Sequence, residues 1–252
     1  MSVIRLDLSY DGTSFRGWAR QRGDHVRTVQ GALEQPLSRV VGERVSLAVA
    51  GRTDAGVHAS GQVASFEASG DVDLVRLRRA VNSMVGPEVV VRRTSFAPDG
   101  FHARYSATSR QYRYRIDTGE VPDPFTARFV WHRPGELSVA GMRGAARYLL
   151  GEHDFTAFCR SPVPGRPTVR RMQRVAVRRV GERVELAFRA NAFLHQMVRS
   201  LVGTLVAVGE GRLEPGAVPG ILASRDRSRA GQLAPAHGLT LEAVTYGRAT
   251  RP

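Results

Sequence analysis

The chain has 252 residues, 42% of them hydrophobic, with 37 basic residues against 23 acidic and a formal net charge of +14. That length holds one large domain or two small ones, each with its own core. A single cysteine, Cys159, excludes an internal disulfide framework and a thiolate metal site made by this chain alone; the lack of an apolar run of membrane-spanning length excludes a transmembrane helix; and the lack of any lysine excludes Schiff-base, pyridoxal-lysine and P-loop-lysine chemistry.

Every basic side chain apart from histidine is therefore arginine. A strongly basic protein without a membrane signature is expected to meet a polyanion, and nucleic acid heads the list. Arginine suits that partner, because its planar fork pairs with phosphates bidentately and stacks on bases. The opening "MSVIRLDLSY" places Asp7 inside its apolar run and so does not read as a signal peptide. A cytoplasmic location is expected.

Residues 3–10 alternate, with Ile4, Leu6, Leu8 and Tyr10 on one face, which predicts a half-buried strand. A turn follows at Asp11-Gly12. Thr28 is placed as the N-cap of a helix carrying Val29, Leu33, Leu37, Val40 and Val41 on one side, with Pro36 bending it. Strands are predicted at 45–50 and 62–67. A second helix spans 71–85, begun by Asp71 and Asp73, with Leu74, Leu77, Val81 and Met84 inward. A further strand covers 88–96.

The second half repeats these element types without an internal sequence repeat. "SRQYRYRI" (109–116) alternates as a strand, 138–150 reads as a helix, and 169–190 as two strands joined near Gly181-Glu182. Residues 159–170 look like a mobile basic loop. The most apolar helix is predicted over 192–209, and a last strand at 239–246. The expected fold class is α+β: two α/β subdomains, 1–104 and 105–252, with mainly antiparallel or mixed sheets flanked by helices and an active-site cleft between them.

Three residues stand out as chemistry. Asp54, in "GRTDAG" (51–56), lies just past a predicted strand between Gly51 and Gly56, on the kind of loop that carries function. Most loop aspartates only cap their own turn. Here Arg52 lies two residues before it and His58 four residues after it. An arginine beside an aspartate keeps the carboxylate ionised, and an ionised carboxylate can attack a sugar's anomeric carbon.

Arg199 sits among Met197, Val198, Leu201, Val202 and Leu205. It either pairs with a carboxylate or ligand or snorkels to solvent, and the two readings are evenly matched. Tyr112, in a stretch that interleaves aromatic and arginine side chains, either stacks on a base or packs in the core. "GTSFRG" (12–17) has the wrong spacing for a nucleophile elbow, the histidines show no metal-ligand spacing, and the Asp54 loop lacks the second carboxylate of a glycosidase pair.

The blocks "YDGTSFRGWARQ" (10–21), "TVQGALE" (28–34), "GRTDAGVHASGQVASF" (51–66), "FHARYSATSRQYRYRI" (101–116), "GEHDFTAFC" (151–159), "NAFLHQMVRSLVGTLVAVGEG" (191–211) and "APAHGLTLEAVTY" (234–246) together resemble the tRNA pseudouridine synthase A family over nearly the whole chain. One departure is that the family's Gly-Trp-Gln reads Gly17-Trp18-Ala19 here.

The resemblance implies isomerisation of uridine to pseudouridine at positions 38 to 40 of the tRNA anticodon stem-loop. It also implies a homodimer, with no metal and no organic cofactor. Residue by residue, it makes Asp54 the catalytic aspartate, Tyr112 the residue stacked on the target uracil and Arg199 the partner of the aspartate. Arg52 supports the site, and His58 and Arg110 join Tyr112 as candidate substrate-binding residues. The rival readings are a non-catalytic RNA-binding protein and a C-nucleoside-forming enzyme acting on a small molecule.

Overall fold

The computed structural model describes residues 1–21, 26–160 and 162–247. The predicted basic loop at 159–170 includes residue 161, which lies outside the described residues; residues 162–167 are exposed. The chain forms two compact units, one from residues 1–110 together with the chain from 241 onward, the other from 111–240. The division thus falls at Arg110 rather than near 105, and the last strand returns to the first unit.

The first unit contains β1 (Ser2–Tyr10), α1 (Val29–Val41), β2 (Ala48–Val49), β3 (His58–Ala68), α2 (Leu74–Val85), β4 (Val89–Ala97) and the start of β5 (Ala107–Asp117). The second contains the rest of β5, then β6 (Trp131–His132), α3 (Val139–Arg147), β7 (Gly151–Asp154), β8 (Val169–Val180), β9 (Arg183–Ala190), α4 (Met197–Gly209) and α5 (Val218–Ser224). The chain re-enters the first unit within β10 (Leu239–Tyr246).

In the first unit the strands run in the order β4-β1-β3-β10, with β2 paired to β3. The expected alternation of β1 holds: Ile4, Leu6, Leu8 and Tyr10 are all buried. It is antiparallel to both β3 and β4, and its register against β3 shifts between Leu8, opposite Gln62, and Tyr10, opposite Ala59. The Thr28 hydroxyl caps α1 by accepting from the Gly31 amide, and Asp73 caps α2 through the amides of Val75 and Arg76. These helices bury Val29, Leu33 and Leu37, and Leu77 and Val81. Val40 and Val41 are only half-buried, and Met84, expected inward, is exposed at the end of α2.

The strand expected over 45–50 is reduced to Ala48–Val49. The reason lies on α1: the Val45 amide donates to the Ser38 hydroxyl and the Leu47 amide to Glu34 Oε1. Backbone donors satisfied by helix side chains have no need of a neighbouring strand.

In the second unit the order is β5-β9-β8-β7, with β6 parallel to β5. The hairpin expected near Gly181 is present, with Val180 opposite Arg183 and Gly181 at φ +58. The apolar helix begins at Met197 instead of 192, because Gln196 adopts a left-handed conformation (φ 59) that cannot extend a right-handed helix. Every residue of α4 except Arg199 is buried. Its Leu201, Val202, Leu205, Val206 and Val208 side chains each contribute about 1.5–3 kcal/mol by leaving water. No helix among the described residues is long and apolar enough to cross a membrane.

Candidate active site

The loop of residues 51–57 connects β2 to β3, and nearly every peptide in it is held. Arg110 Nε and Nη2 donate to the Ala50 carbonyl at 3.0 and 2.8 Å. The Gln62 amide donates to the Gly51 carbonyl at 2.7 Å, the Trp18 amide to the Thr53 carbonyl at 3.0 Å, and the Val57 amide to the Asp54 carbonyl at 3.1 Å. The Gly56 amide donates to the Phe15 carbonyl at 3.2 Å.

Two glycines of the 12–17 segment permit this approach. A Cβ at Gly12 would lie 2.1 Å from the Val57 carbonyl oxygen, and one at Gly17, where φ is +94, would lie 2.8 Å from that of Thr53. The sequence fragment that fails as a nucleophile elbow thus serves as the bed of the Asp54 loop.

On this bed Arg52 is exposed, Asp54 half-buried and Thr53 buried. Asp54 therefore stands on a backbone that its neighbours fix on both sides. His58 and Arg110, expected to bind substrate, are both buried. Nδ1 of His58 accepts from the Gly12 amide at 2.9 Å, which joins the start of β3 to the bed. Arg110 also donates to the carbonyls of Arg104 (2.6 Å) and Ala107 (3.0 Å). Nδ1 of His58 also lies 3.2 Å from Asp11 Oδ1, so both buried side chains touch the backbone of the loop or of its bed, and His58 a carboxylate of the bed as well.

Beneath the loop lies a polar cluster that the sequence did not disclose. The hydroxyls of Tyr10 and Thr53 are 2.8 Å apart, and Gln62 Nε2 lies 3.2 Å from the Tyr10 hydroxyl. Tyr10, Thr53 and Gln62 are all buried. Burial pushes the Tyr10 phenol up to about 12 against the opposing pull of its two hydrogen bonds, so it keeps its proton at neutral pH. The available signal was Gln62, an amide directly before the apolar Val63-Ala64 pair of β3.

In the second unit, Tyr112 is buried and meets Phe193 edge-on, with ring centroids 5.1 Å apart. Phe193 also escaped the sequence reading. The side chain of Arg199 is tied down: Nε donates to the Ala234 carbonyl at 2.7 Å, while the Ala234 amide donates back to the Arg199 carbonyl at 3.3 Å. Its positive charge is felt locally. Burial first, and then Arg199, lower the basicity of His237, outweighing the bond that His237 makes to the Val130 backbone. Tyr114 is driven far above its ordinary range by burial, with Arg199 opposing. It donates to the Pro235 carbonyl at 2.8 Å, which makes it the core tyrosine of the RQYRYR stretch.

A cleft of about 510 Å³ in this unit, lined by Tyr148, His153, Asp154, Leu222 and Arg225, contains none of the expected site residues. Among the described residues, no group of three or more His, Cys, Asp or Glu side chains could hold a metal ion.

The chain matches the family described as tRNA pseudouridine synthase over residues 8–106 and 145–247, and it belongs to that family. It is an isomerase. Curated relatives named tRNA pseudouridine synthase A span it almost completely. The Moorella thermoacetica protein is 44% identical over 98% of this chain and 100% of its own length. That of Frankia casuarinae is 50% identical over 96% of this chain and 89% of its own, and that of Vibrio cholerae 42% over 96% and 91%.

Proposed function

We propose that this protein isomerises uridine to pseudouridine at positions 38, 39 and/or 40 in the anticodon stem-loop of tRNA, with Asp54 as the catalytic carboxylate. The N1–C1′ bond breaks, the base turns, and C5 bonds to C1′; the C5 proton is lost and N1 gains one. Asp54 acts on the ribose, either by attacking C1′ or by removing the C2′ proton to give a glycal. The target base has to leave its stack to reach a loop carboxylate, so base flipping accompanies the reaction.

In this reading Tyr112 stacks on the uracil, a contact worth about 1–3 kcal/mol in single-strand binders, and retains the base while it is detached. Arg199 is the charge partner of Asp54, and the exposed Arg52 binds RNA or orients the site. His58 and Arg110 serve by holding the loop. A homodimer grips the tRNA in the cytoplasm. The observation that carries the proposal is the Asp54 loop itself: a half-buried carboxylate on a backbone fixed at Ala50, Gly51, Thr53, Asp54 and Gly56. Pseudouridine mapping of unmodified tRNA after incubation with the purified protein tests it. Conversion confined to 38–40 is expected; conversion elsewhere, or none, contradicts the assignment.

A further inference from the structure

The cluster under the loop is linked from end to end. Gln62 Nε2 faces the Gly51 carbonyl at 2.7 Å, an acceptor, so the amide's nitrogen side is fixed there. The same nitrogen donates to the Tyr10 hydroxyl. Tyr10 is protonated at neutral pH and buried, and its hydroxyl shares a 2.8 Å hydrogen bond with that of Thr53. The three side chains thus form a continuous chain of hydrogen bonds, from Gln62 through Tyr10 to Thr53.

The strands do not need this cluster for pairing. The β1–β3 ladder already joins Leu8 to Gln62 and Tyr10 to Ala59. What the three side chains add is a hold on Gly51 and on Thr53, the two residues flanking Arg52, with Thr53 adjoining Asp54 in the chain. The contacts of this buried polar network terminate on the Asp54 loop, where a satisfied network rigidifies what it touches.

We propose that Gln62 and Tyr10 are positioning residues for the reaction, acting through Thr53: a buried hydrogen-bond relay fixes the Thr53 peptide and side chain, and through them the attack geometry of Asp54. This inference rests on Asp54 being the catalytic group. Misplacing a reacting group by about 1 Å costs on the order of 100-fold in rate, so loss of the relay is read in the chemical step, not in tRNA affinity.

The test is single-turnover conversion of tRNA by Tyr10→Phe, Thr53→Val, Thr53→Ser and the double variant Tyr10→Phe/Thr53→Val, with tRNA affinity measured alongside. Tyr10→Phe and Thr53→Val are expected to slow the step about 10- to 100-fold at unchanged affinity. Thr53→Ser, which keeps the hydroxyl, restores most of the rate, and the double variant is no slower than the slower single one. Wild-type rates in both single variants, equal loss in Thr53→Ser and Thr53→Val, or losses that multiply in the double variant would overturn the relay. Asp54→Asn is run in the same assay. Turnover by that variant refutes the assignment of Asp54, whereas a dead Asp54→Asn beside a fully active Tyr10→Phe refutes the relay alone.

Discussion

Gly17 limits where Asp54 can be. With φ at +94 and the Thr53 carbonyl oxygen 2.8 Å from any added Cβ, Gly17→Ala carries a left-handed backbone cost of about 1–2 kcal/mol and presses on the loop itself. Denaturant unfolding is expected to show that loss of stability, and turnover to fall further than stability alone explains; an unaltered unfolding midpoint would contradict the contact. Arg199 allows a cleaner separation. Its Nε is spent on Ala234, and it is the one unburied residue of α4. Arg199→Leu is expected to abolish turnover while tRNA affinity changes little. Unchanged turnover would show that the guanidinium serves only the Ala234 carbonyl. At this scale the loop that carries Asp54 and Arg52 was legible, because glycines, arginine and aspartate crowd one short motif. Tyr10 was not: an inward tyrosine reads as core, and the hydroxyl partner that gives it a further use lies 43 positions away.

Helices and strands were legible where periodicity decides and illegible where a distant side chain does. The caps at Thr28 and Asp73, the alternation of β1 and the hairpin at Gly181 follow from residues within a few positions of each other. The shortening of β2 depends on Glu34 and Ser38 of α1 claiming the amides of Leu47 and Val45 before it. The connection into β10 is fastened in the same long-range way, by Arg199 on Ala234, Tyr114 on Pro235 and the Gly231 amide on the Thr204 hydroxyl. His237 sits in this connection with its basicity lowered by burial and by Arg199. A histidine depressed in the folded state makes unfolding easier as pH falls below the ordinary value near 6.5, because the unfolded chain then binds the proton more readily. Thermal unfolding of His237→Gln between pH 7.5 and 5.5 is expected to lose less stability on acidification than the parent; equal losses would contradict that linkage.

For the whole molecule, the formal charge of +14, carried without a single lysine, was the most legible property and the one that points to RNA. Phosphate contacts release counterions, so tRNA affinity is expected to fall linearly in log–log form as salt rises, by about 0.7–0.9 decades per decade of salt for each phosphate neutralised. Salt-insensitive binding would instead favour an enzyme for a small nucleoside. The division into units was less legible. The 239–246 segment announces a strand by its alternation, but nothing in that pattern says that residues from 241 onward join the first unit.

The most direct measurement compares the parent protein with Asp54→Asn for tritium release from tRNA carrying 5-tritiated uridine, with tRNA binding followed in parallel. The account requires Asp54→Asn to bind tRNA as the parent does and to release no tritium. Release at or near the parent rate would contradict it.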